Sequence, residues 1–173
     1  MTFERLNIRE MEGYSYGEQP SDSTTIKLNT NENPYPPSEE VSKALRNFNT
    51  NALRRYPDAT AQALREIAGS LHGFPPDHIL ITNGGDEALR LAVTTFVSPD
   101  DGFGILDPSY SLYPVLAAIQ NCRLVKIPAT EEWAIPDTFS KNLNAEGVQL
   151  TCIVNPHAPS GYLTSTQKLA TIA

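Results

Sequence analysis

The pattern of apolar and polar residues divides the chain into two parts. In the first part, apolar residues recur at helical spacing in two stretches. One stretch is EEVSKALRNF, residues 39–48, which follows Ser38, a residue type that favours a helix N-terminus. In the other, Leu64 and Leu71 share a face with the apolar residues between them, and Gly73 is placed to end the helix. The pattern therefore predicts two amphipathic helices.

From Ile79 onward, short apolar runs alternate with helical patterns, which predicts strands alternating with helices. The predicted strands are Ile79–Thr82, Gly104–Leu106, Arg123–Ile127 and Gln149–Val154. The predicted helices between them are Asp86–Phe96, Ser111–Gln120 and Asp137–Leu143. Such alternation is typical of an α/β fold, with a largely parallel sheet flanked by helices on both faces.

The two ends of the chain differ from this pattern. Residues 1–37 are predicted to be irregular, because prolines in the TNENPYPPS segment forbid a helix and favour extended backbone. A last helix is predicted from Thr164, and Ala173 follows about two turns into it. We therefore expect the sequence to be a fragment of a longer chain, incomplete at the C-terminus.

Composition and charge narrow the possible functions. The net charge of −7 argues against a nucleic-acid or anionic-membrane surface, since both require clustered Lys and Arg. No apolar run is long enough to span a bilayer, and the N-terminus lacks a signal-peptide core. Cys122 and Cys152 have neither zinc-type spacing nor the number that a disulfide framework needs. We expect a cytoplasmic protein without a metal site.

Three polar loops lie where predicted strands give way to helices. The first loop is Asn83–Glu87, the second is Asp107–Ser111 and the third is Asn155–Gly161. Ligands bind outside the carboxyl ends of parallel strands, so we expect the three loops to face one crevice. Gly84 and Gly85 allow close approach to unpaired helix amides, which suits a phosphate. Tyr110 could stack on a flat ring.

Each loop alone also has a purely structural interpretation. The first could be a plain connection with Asp86 as a helix cap, Tyr110 could be a packing residue, and the third loop could be a rigid turn. Together they describe a site for a phosphorylated aromatic ring, which both pyridoxal 5'-phosphate (PLP) and nucleotides contain. The G-x-G-x-x-G and GK[ST] motifs are absent from the sequence, which weakens the nucleotide alternative.

From about Leu28 to Ala173 the sequence resembles fold-type I PLP-dependent aminotransferases, and most closely the histidinol-phosphate aminotransferase branch. The motifs that carry the resemblance are LNTNENPYPPS (28–38), RYPD (55–58), NGGDEA (83–88), DPSYSLY (107–113) and NPHAPSG (155–161). The resemblance implies that residues 1–50 form an N-terminal arm and part of the small domain. Residues 51–173 would then be the N-terminal part of the large PLP-binding domain.

The resemblance also implies roles for individual residues. Gly85, Asp86 and Glu87 match the turn whose amides hold the PLP phosphate, and Tyr110 matches the aromatic residue stacked on the pyridine ring. Tyr56 matches a tyrosine that reaches the phosphate of the neighbouring subunit, which implies a homodimer with shared active sites. The residues that match the segment closing over substrate are Asn31, Glu32, Asn33 and Tyr35.

The sequence departs from the family pattern at three places. Ala158 stands where the family has an asparagine that binds the hydroxyl oxygen of the cofactor ring, so Asn155 or His157 would take over, and we assign Asn155. Pro36 stands where glycine is usual. The Schiff-base lysine, the pyridinium aspartate and the carboxylate-binding arginine have no counterpart in these residues. Lys168 fits an S-x-x-K spacing but opens a helix, and we expect it to be a solvated side chain.

The resemblance therefore implies transamination between L-histidinol phosphate and 2-oxoglutarate in histidine biosynthesis, with no catalytic residue in this chain and no activity of the chain alone. Three alternatives remain open from the sequence. They are a PLP enzyme similar to threonine-phosphate decarboxylase, a non-catalytic binding or dimerisation module, and a nucleotide-binding α/β domain.

Overall fold

The computed structural model describes residues 3–22 and 24–173. The α-helices of these residues are α1 (Leu6–Glu10), α2 (Glu39–Arg46), α3 (Gln62–His72), α4 (Gly85–Phe96), α5 (Leu112–Gln120), α6 (Phe139–Ala145) and α7 (Thr166–Ile172). The strands are β1 (Gly102–Asp107), β2 (Arg123–Pro128) and β3 (Val148–Cys152). Two short 3-10 helices span Thr50–Arg54 and Pro76–His78. None of the helices described is long and apolar enough to cross a membrane.

The chain forms two compact units. One contains the chain up to Ser15 together with Asn83–Ala173, and the other contains Tyr16–Thr82. This division does not follow the boundary at residue 50 that the family resemblance implies. The assignment of residues 1–50 and 51–173 to two domains of a larger enzyme therefore stays a prediction.

The first unit is built on a three-stranded parallel sheet with the order β2-β1-β3. The alternation of side chains along β1 directs Phe103 and Ile105 into one apolar cluster and Leu106 into another. The first cluster contains buried residues of α4 and α5, and the second contains buried residues of β2 and α6. The sheet is thus covered on both faces, which confirms the predicted α/β class.

The second unit consists of α2, α3 and the two 3-10 helices. Ser38 occupies the N-cap position of α2, as predicted, although its side chain makes no capping hydrogen bond. Gly73 ends α3 with a φ of 75°, a left-handed conformation that glycine adopts without a steric penalty. The Arg65 guanidinium donates to the carbonyls of Pro76 and Ile79, each at 2.9 Å, and so ties α3 to the following turn.

Two predictions about elements are wrong. Ile79–Thr82 is not a strand: Ile79 has extended backbone, but the segment pairs with no strand in the part of the chain that the structure describes. A strand needs a hydrogen-bonding neighbour, and apolar periodicity cannot show whether one is present. Residues 1–37 are not wholly irregular either, since α1 lies within them. The other predicted strands and helices are confirmed, with bounds that shift by no more than two residues.

Gly104 marks a close approach between β1 and its neighbours. A Cβ atom at this position would lie 2.6 Å from Thr151 Oγ1 and 2.7 Å from Leu143 Cδ2. We expect Gly104→Ala to lower the free energy of unfolding by about 1–3 kcal/mol, because the crowded interior must shift. Gly13→Ala is the matched control, since a Cβ there meets no atom within 4 Å. Urea denaturation of the two variants checks this, and equal stabilities would contradict the packing argument.

Candidate functional site

The first loop, Asn83–Glu87, opens α4 with an uncapped helix N-terminus. Gly84 has a φ of 85° and a ψ of 173°, a conformation that is accessible essentially only to glycine. No side chain of the N-cap residue binds the first helical amides, which have no acceptor within the helix. A Cβ atom at Gly84 or Gly85 would meet no atom within 4 Å, so the space beside these residues is open. The loop can receive an anion.

The acidic side chains of the first loop have different partners. The Glu87 carboxylate accepts the backbone N–H of Asn83 and closes the loop on itself. The Asp86 carboxylate instead accepts the hydroxyl of Tyr110 at 3.2 Å, which joins the first loop to the second loop, Asp107–Ser111. The predicted neighbourhood of the first loop and Tyr110 is therefore present in the structure.

Tyr110 belongs to a series of aromatic rings that begins in the core. Phe103 is fully buried and meets the ring of Tyr113 edge-on at 5.9 Å between centroids. Tyr113 in turn meets Tyr110 at 5.8 Å, and Tyr110 meets Tyr14 at 6.4 Å. Such edge-to-face contacts are favourable pairings of aromatic rings. Tyr110 is thus held from the core side and is only partly buried.

The surroundings of the two inner tyrosines favour their protonated forms. A hydrogen-bonding contact with Tyr14, burial and the Asp86 carboxylate all raise the pKa of Tyr110. Burial, followed by the neighbouring Cys152 thiol, raises the pKa of Tyr113 to about 12. At neutral pH the Tyr110 hydroxyl therefore remains a hydrogen-bond donor.

His157 links the third loop, Asn155–Gly161, to the second. It is 4% exposed, its Nε2 lies 2.8 Å from the Pro108 carbonyl oxygen, and its Nδ1 lies 2.7 Å from Ser160 Oγ. Because a carbonyl oxygen can only accept, Nε2–H donates to Pro108, and Nδ1 is hydrogen-bonded to the Ser160 hydroxyl. Both ring nitrogens are thus engaged within the protein, which leaves His157 a structural role between the two loops.

Asn155 is exposed but already carries two hydrogen bonds. Its side-chain oxygen accepts the backbone N–H of Thr164 at 2.9 Å, and its amide nitrogen donates to the Thr164 carbonyl at 3.1 Å. The amide has a second N–H and further lone-pair capacity at its oxygen. Its predicted contact with a cofactor stays a prediction, now limited to these remaining groups.

The sequence analysis does not predict the contact of Tyr14 with Tyr110, because no local motif indicates a contact between residues so far apart in the chain. Its place in the unit depends on α1, which docks on the C-terminal end of α5. There Arg5 Nη2 donates to the Ile119 carbonyl at 3.0 Å, and Asn7 Nδ2 donates to the Ala118 carbonyl at 2.8 Å. Cationic and amide donors suit the carbonyls at the negative end of a helix. Trp133 is a second addition, with its ring 6.2 Å from that of His157.

The remaining predicted site residues lie in the second unit. Tyr56 is fully exposed and Tyr35 is exposed. The Glu32 carboxylate is paired with Lys27 and accepts the Thr30 hydroxyl at 3.3 Å. Asn33 Oδ1 accepts the backbone N–H of Tyr35 at 3.0 Å. Asn31 has left-handed backbone, with a φ of 53°. The substrate role predicted for these residues stays a prediction.

Lys168 lies on α7, where its Nζ forms an ion pair with Asp137 Oδ1 at 2.5 Å. The ion pair also lowers the pKa of the fully exposed Asp137 carboxyl. Ser165 caps the same helix by accepting the N–H of Lys168 at 3.2 Å. Ser165 thus caps α7, while the Lys168 side chain is partly buried and ion-paired and not fully solvated as predicted.

The first unit therefore brings together an open helix N-terminus, a restrained aromatic ring and a rigid polar turn. The N-terminus of α4 is a kind of structure that suits a phosphate, and the Tyr110 hydroxyl is bound to the first turn of that helix. Among the described residues, no group of His, Cys, Asp and Glu side chains could hold a metal ion. The geometry is that of a site for a phosphorylated aromatic cofactor.

The chain belongs to the aminotransferase class I and II family, which matches residues 23–173. Among curated proteins it is similar to the histidinol-phosphate aminotransferase of Geotalea daltonii, with 41% identity over 98% of this chain and 48% of that protein. The histidinol-phosphate aminotransferase of Syntrophotalea carbinolica is 42% identical over 91% of this chain and 45% of that protein. The chain thus spans about half the length of these relatives.

Solved structures show the same fold. The histidinol-phosphate aminotransferase of Sinorhizobium meliloti, in complex with pyridoxal 5'-phosphate, has a TM-score of 0.76 at 21% identity and covers 83% of this chain and 39% of that chain. The alanine aminotransferase of Pyrococcus furiosus has a TM-score of 0.66 at 22% identity, over 80% of this chain and 38% of that chain. These likenesses assign the fold-type I aminotransferase architecture to this chain.

The link made by His157 can be tested by its removal. We expect His157→Ala to lower the free energy of unfolding by about 2 kcal/mol, because a buried ring is removed and the Pro108 carbonyl and the Ser160 hydroxyl lose their partner. His72→Ala is the control: His72 is exposed, so its replacement should change the free energy of unfolding by less than about 0.5 kcal/mol. Urea denaturation of both variants is the measurement, and similar losses in the two would show that the bridge contributes nothing.

Proposed function

We propose that this chain is the cofactor-anchoring part of a PLP-dependent aminotransferase of the histidinol-phosphate type. The observation that carries the proposal is the contact between Asp86 and Tyr110, which joins an uncapped helix N-terminus to a restrained aromatic ring. The family match and the names of the curated relatives support the same class of reaction.

The residues of the chain would bind different parts of the cofactor. The amides of Gly85, Asp86 and Glu87 would hold the phosphate, since they lie at the positive end of α4. Tyr110 would lie against the pyridine ring, held there by its contacts with Tyr113 and Asp86. When bound, PLP supplies the electron-accepting ring that the chemistry at the substrate α-carbon requires.

The ring hydroxyl of the cofactor would be met by Asn155. Its second amide N–H could donate to this oxygen while the bonds to Thr164 keep the side chain in place. His157 is a poorer candidate, because both of its ring nitrogens already have partners. The Asn155 amide would thus replace the asparagine that the family has at the position of Ala158.

The substrates and the assembly belong to the same proposal. L-histidinol phosphate would donate its amino group and 2-oxoglutarate would accept it, with Asn31, Glu32, Asn33 and Tyr35 on the segment that receives the substrate. Tyr56 would reach the phosphate in the neighbouring subunit of a homodimer, and its full exposure in this chain supports that role. Residues 1–50 and 51–173 would belong to the small and large domains of the enzyme, and we propose a cytoplasmic location.

The aromatic role of Tyr110 is tested in the complete gene product. We expect Tyr110→Ala to weaken PLP binding about tenfold. The binding free energy of a nucleic-acid base, a ring of similar size, falls by roughly 1–3 kcal/mol when its aromatic stacking partner is replaced by alanine. Tyr110→Phe should lose less affinity than Tyr110→Ala, since it keeps the ring and loses only the hydroxyl. PLP titration followed by absorbance is the measurement, and unchanged affinity in Tyr110→Ala would remove this residue from the site.

The absence of a catalytic lysine among these residues is tested with the 173-residue polypeptide itself. We expect no transaminase activity when it is supplied with PLP, L-histidinol phosphate and 2-oxoglutarate. Borohydride treatment followed by peptide mass spectrometry should find no stoichiometric PLP adduct at a unique lysine. A stoichiometric adduct at Lys168 together with turnover would overturn this assignment; Lys141→Gln is a control for adventitious labelling, since Lys141 is exposed.

A further inference from the structure

Asp86 and Glu87 are adjacent acids in the first turn of α4, yet their side chains have different functions. Glu87 binds the N–H of Asn83 and stabilises the first loop internally. Asp86 binds the hydroxyl of a residue 24 positions later in the chain. Only the second contact links the first loop to the residue that would face the cofactor ring.

The ring of Tyr110 is restrained from the sides, and its hydroxyl is contacted by Tyr14 as well as by Asp86. Its ring meets Tyr113 at an interplanar angle of 86° and Tyr14 at 68°. A tyrosine side chain has two rotatable bonds before its ring, and edge contacts leave it some freedom to pivot. Of the two groups at the hydroxyl, Asp86 is the one that belongs to the first loop, so its hydrogen bond sets the direction of the ring relative to that loop.

We propose that Asp86 is a positioning residue whose carboxylate holds the Tyr110 hydroxyl and thereby sets the aromatic ring relative to the first loop. The inference rests on the proposed function, in which the loop binds the phosphate and the ring lies against the pyridine. A phosphate and a pyridine joined by a short linker have a defined separation. The protein must therefore match that separation between loop and ring before binding.

The charge state of the pair suits this role. The groups that face the Tyr110 hydroxyl are Tyr14 and Asp86, with Tyr113 against the ring. The contact with Tyr14, burial and the Asp86 charge raise the pKa of Tyr110, so its hydroxyl remains a donor at neutral pH. A hydrogen bond to a charged acceptor is stronger than one between neutral groups.

A double-mutant cycle on PLP affinity tests the inference in the complete gene product. The variants are Asp86→Ala, Tyr110→Phe and the combination of both, with the cofactor titrated by absorbance and by the circular dichroism of the bound chromophore. We expect each single variant to weaken binding about three- to tenfold, which corresponds to the loss of one hydrogen bond. The combination should be no weaker than either single variant, because both remove the same bond.

Two further variants distinguish the positioning effect of Asp86 from the effect of its charge and from a non-specific loss of structure. Asp86→Asn keeps an acceptor oxygen without the charge and should recover most of the affinity that Asp86→Ala loses. Asp100→Ala removes an exposed aspartate of the same unit outside the three loops and should bind PLP as the unchanged protein does. Thermal midpoints of all variants show whether they remain folded.

The outcomes distinguish the inference from the function on which it rests. If the unchanged protein binds PLP saturably, two results overturn the positioning role alone. One is additive losses of affinity in the double variant, and the other is full affinity in Asp86→Ala. Equal losses in Asp86→Asn and Asp86→Ala overturn it as well, because the charge and not the bond would then matter. No saturable PLP binding by the unchanged protein overturns the proposed function itself.

Discussion

The burial of β1 on both faces is the constraint on which the first unit depends. This strand lies between β2 and β3, and its side chains enter two separate apolar clusters. Burial of Phe103 and Ile105 contributes about 2 kcal/mol each, enough to fix which face of the strand meets α4 and α5. Since all three strands are parallel, the second and third loops leave the same edge of the sheet.

Polar contacts then set the positions of the loops relative to one another. Apolar burial specifies the strands but does not determine how a loop of several residues is directed beyond them. His157 joins the third loop to the second through the Pro108 carbonyl, and Asp86 joins the first loop to Tyr110. The buried histidine fixes one link where water is excluded, whereas the aspartate makes its link at the surface.

The sequence predicts the parts of this structure that depend on local pattern. The helical spacing of α4, the strand β1 and the glycine that ends α3 all have short-range signals, and all are confirmed. Partners that are distant in the sequence leave no such signal. For this reason Ile79–Thr82 was wrongly assigned as a strand, and Tyr14 was missed beside Tyr110.

The predicted proximity of the three loops shows what a sequence pattern can predict and what it cannot. The rule that ligands bind at the carboxyl ends of parallel strands predicted it correctly for the second and third loops. The first loop follows no strand in the described residues, and its place beside Tyr110 is shown by a hydrogen bond. The bonds that engage Asn155 and His157 were not predictable, because which amide or imidazole group is already satisfied depends on the three-dimensional neighbours.

A net charge of −7 and two carboxylates beside the proposed phosphate site oppose the binding of an anion. This repulsion is nevertheless small. Asp86 and Glu87 are exposed, and in water two unit charges 4 Å apart interact by only about 1 kcal/mol, further weakened by salt. The helix amides act at hydrogen-bonding distance, and each carboxylate is already held by a donor of its own. Acidic residues at this helix N-terminus are therefore compatible with an anion site, provided that their side chains are directed to other partners.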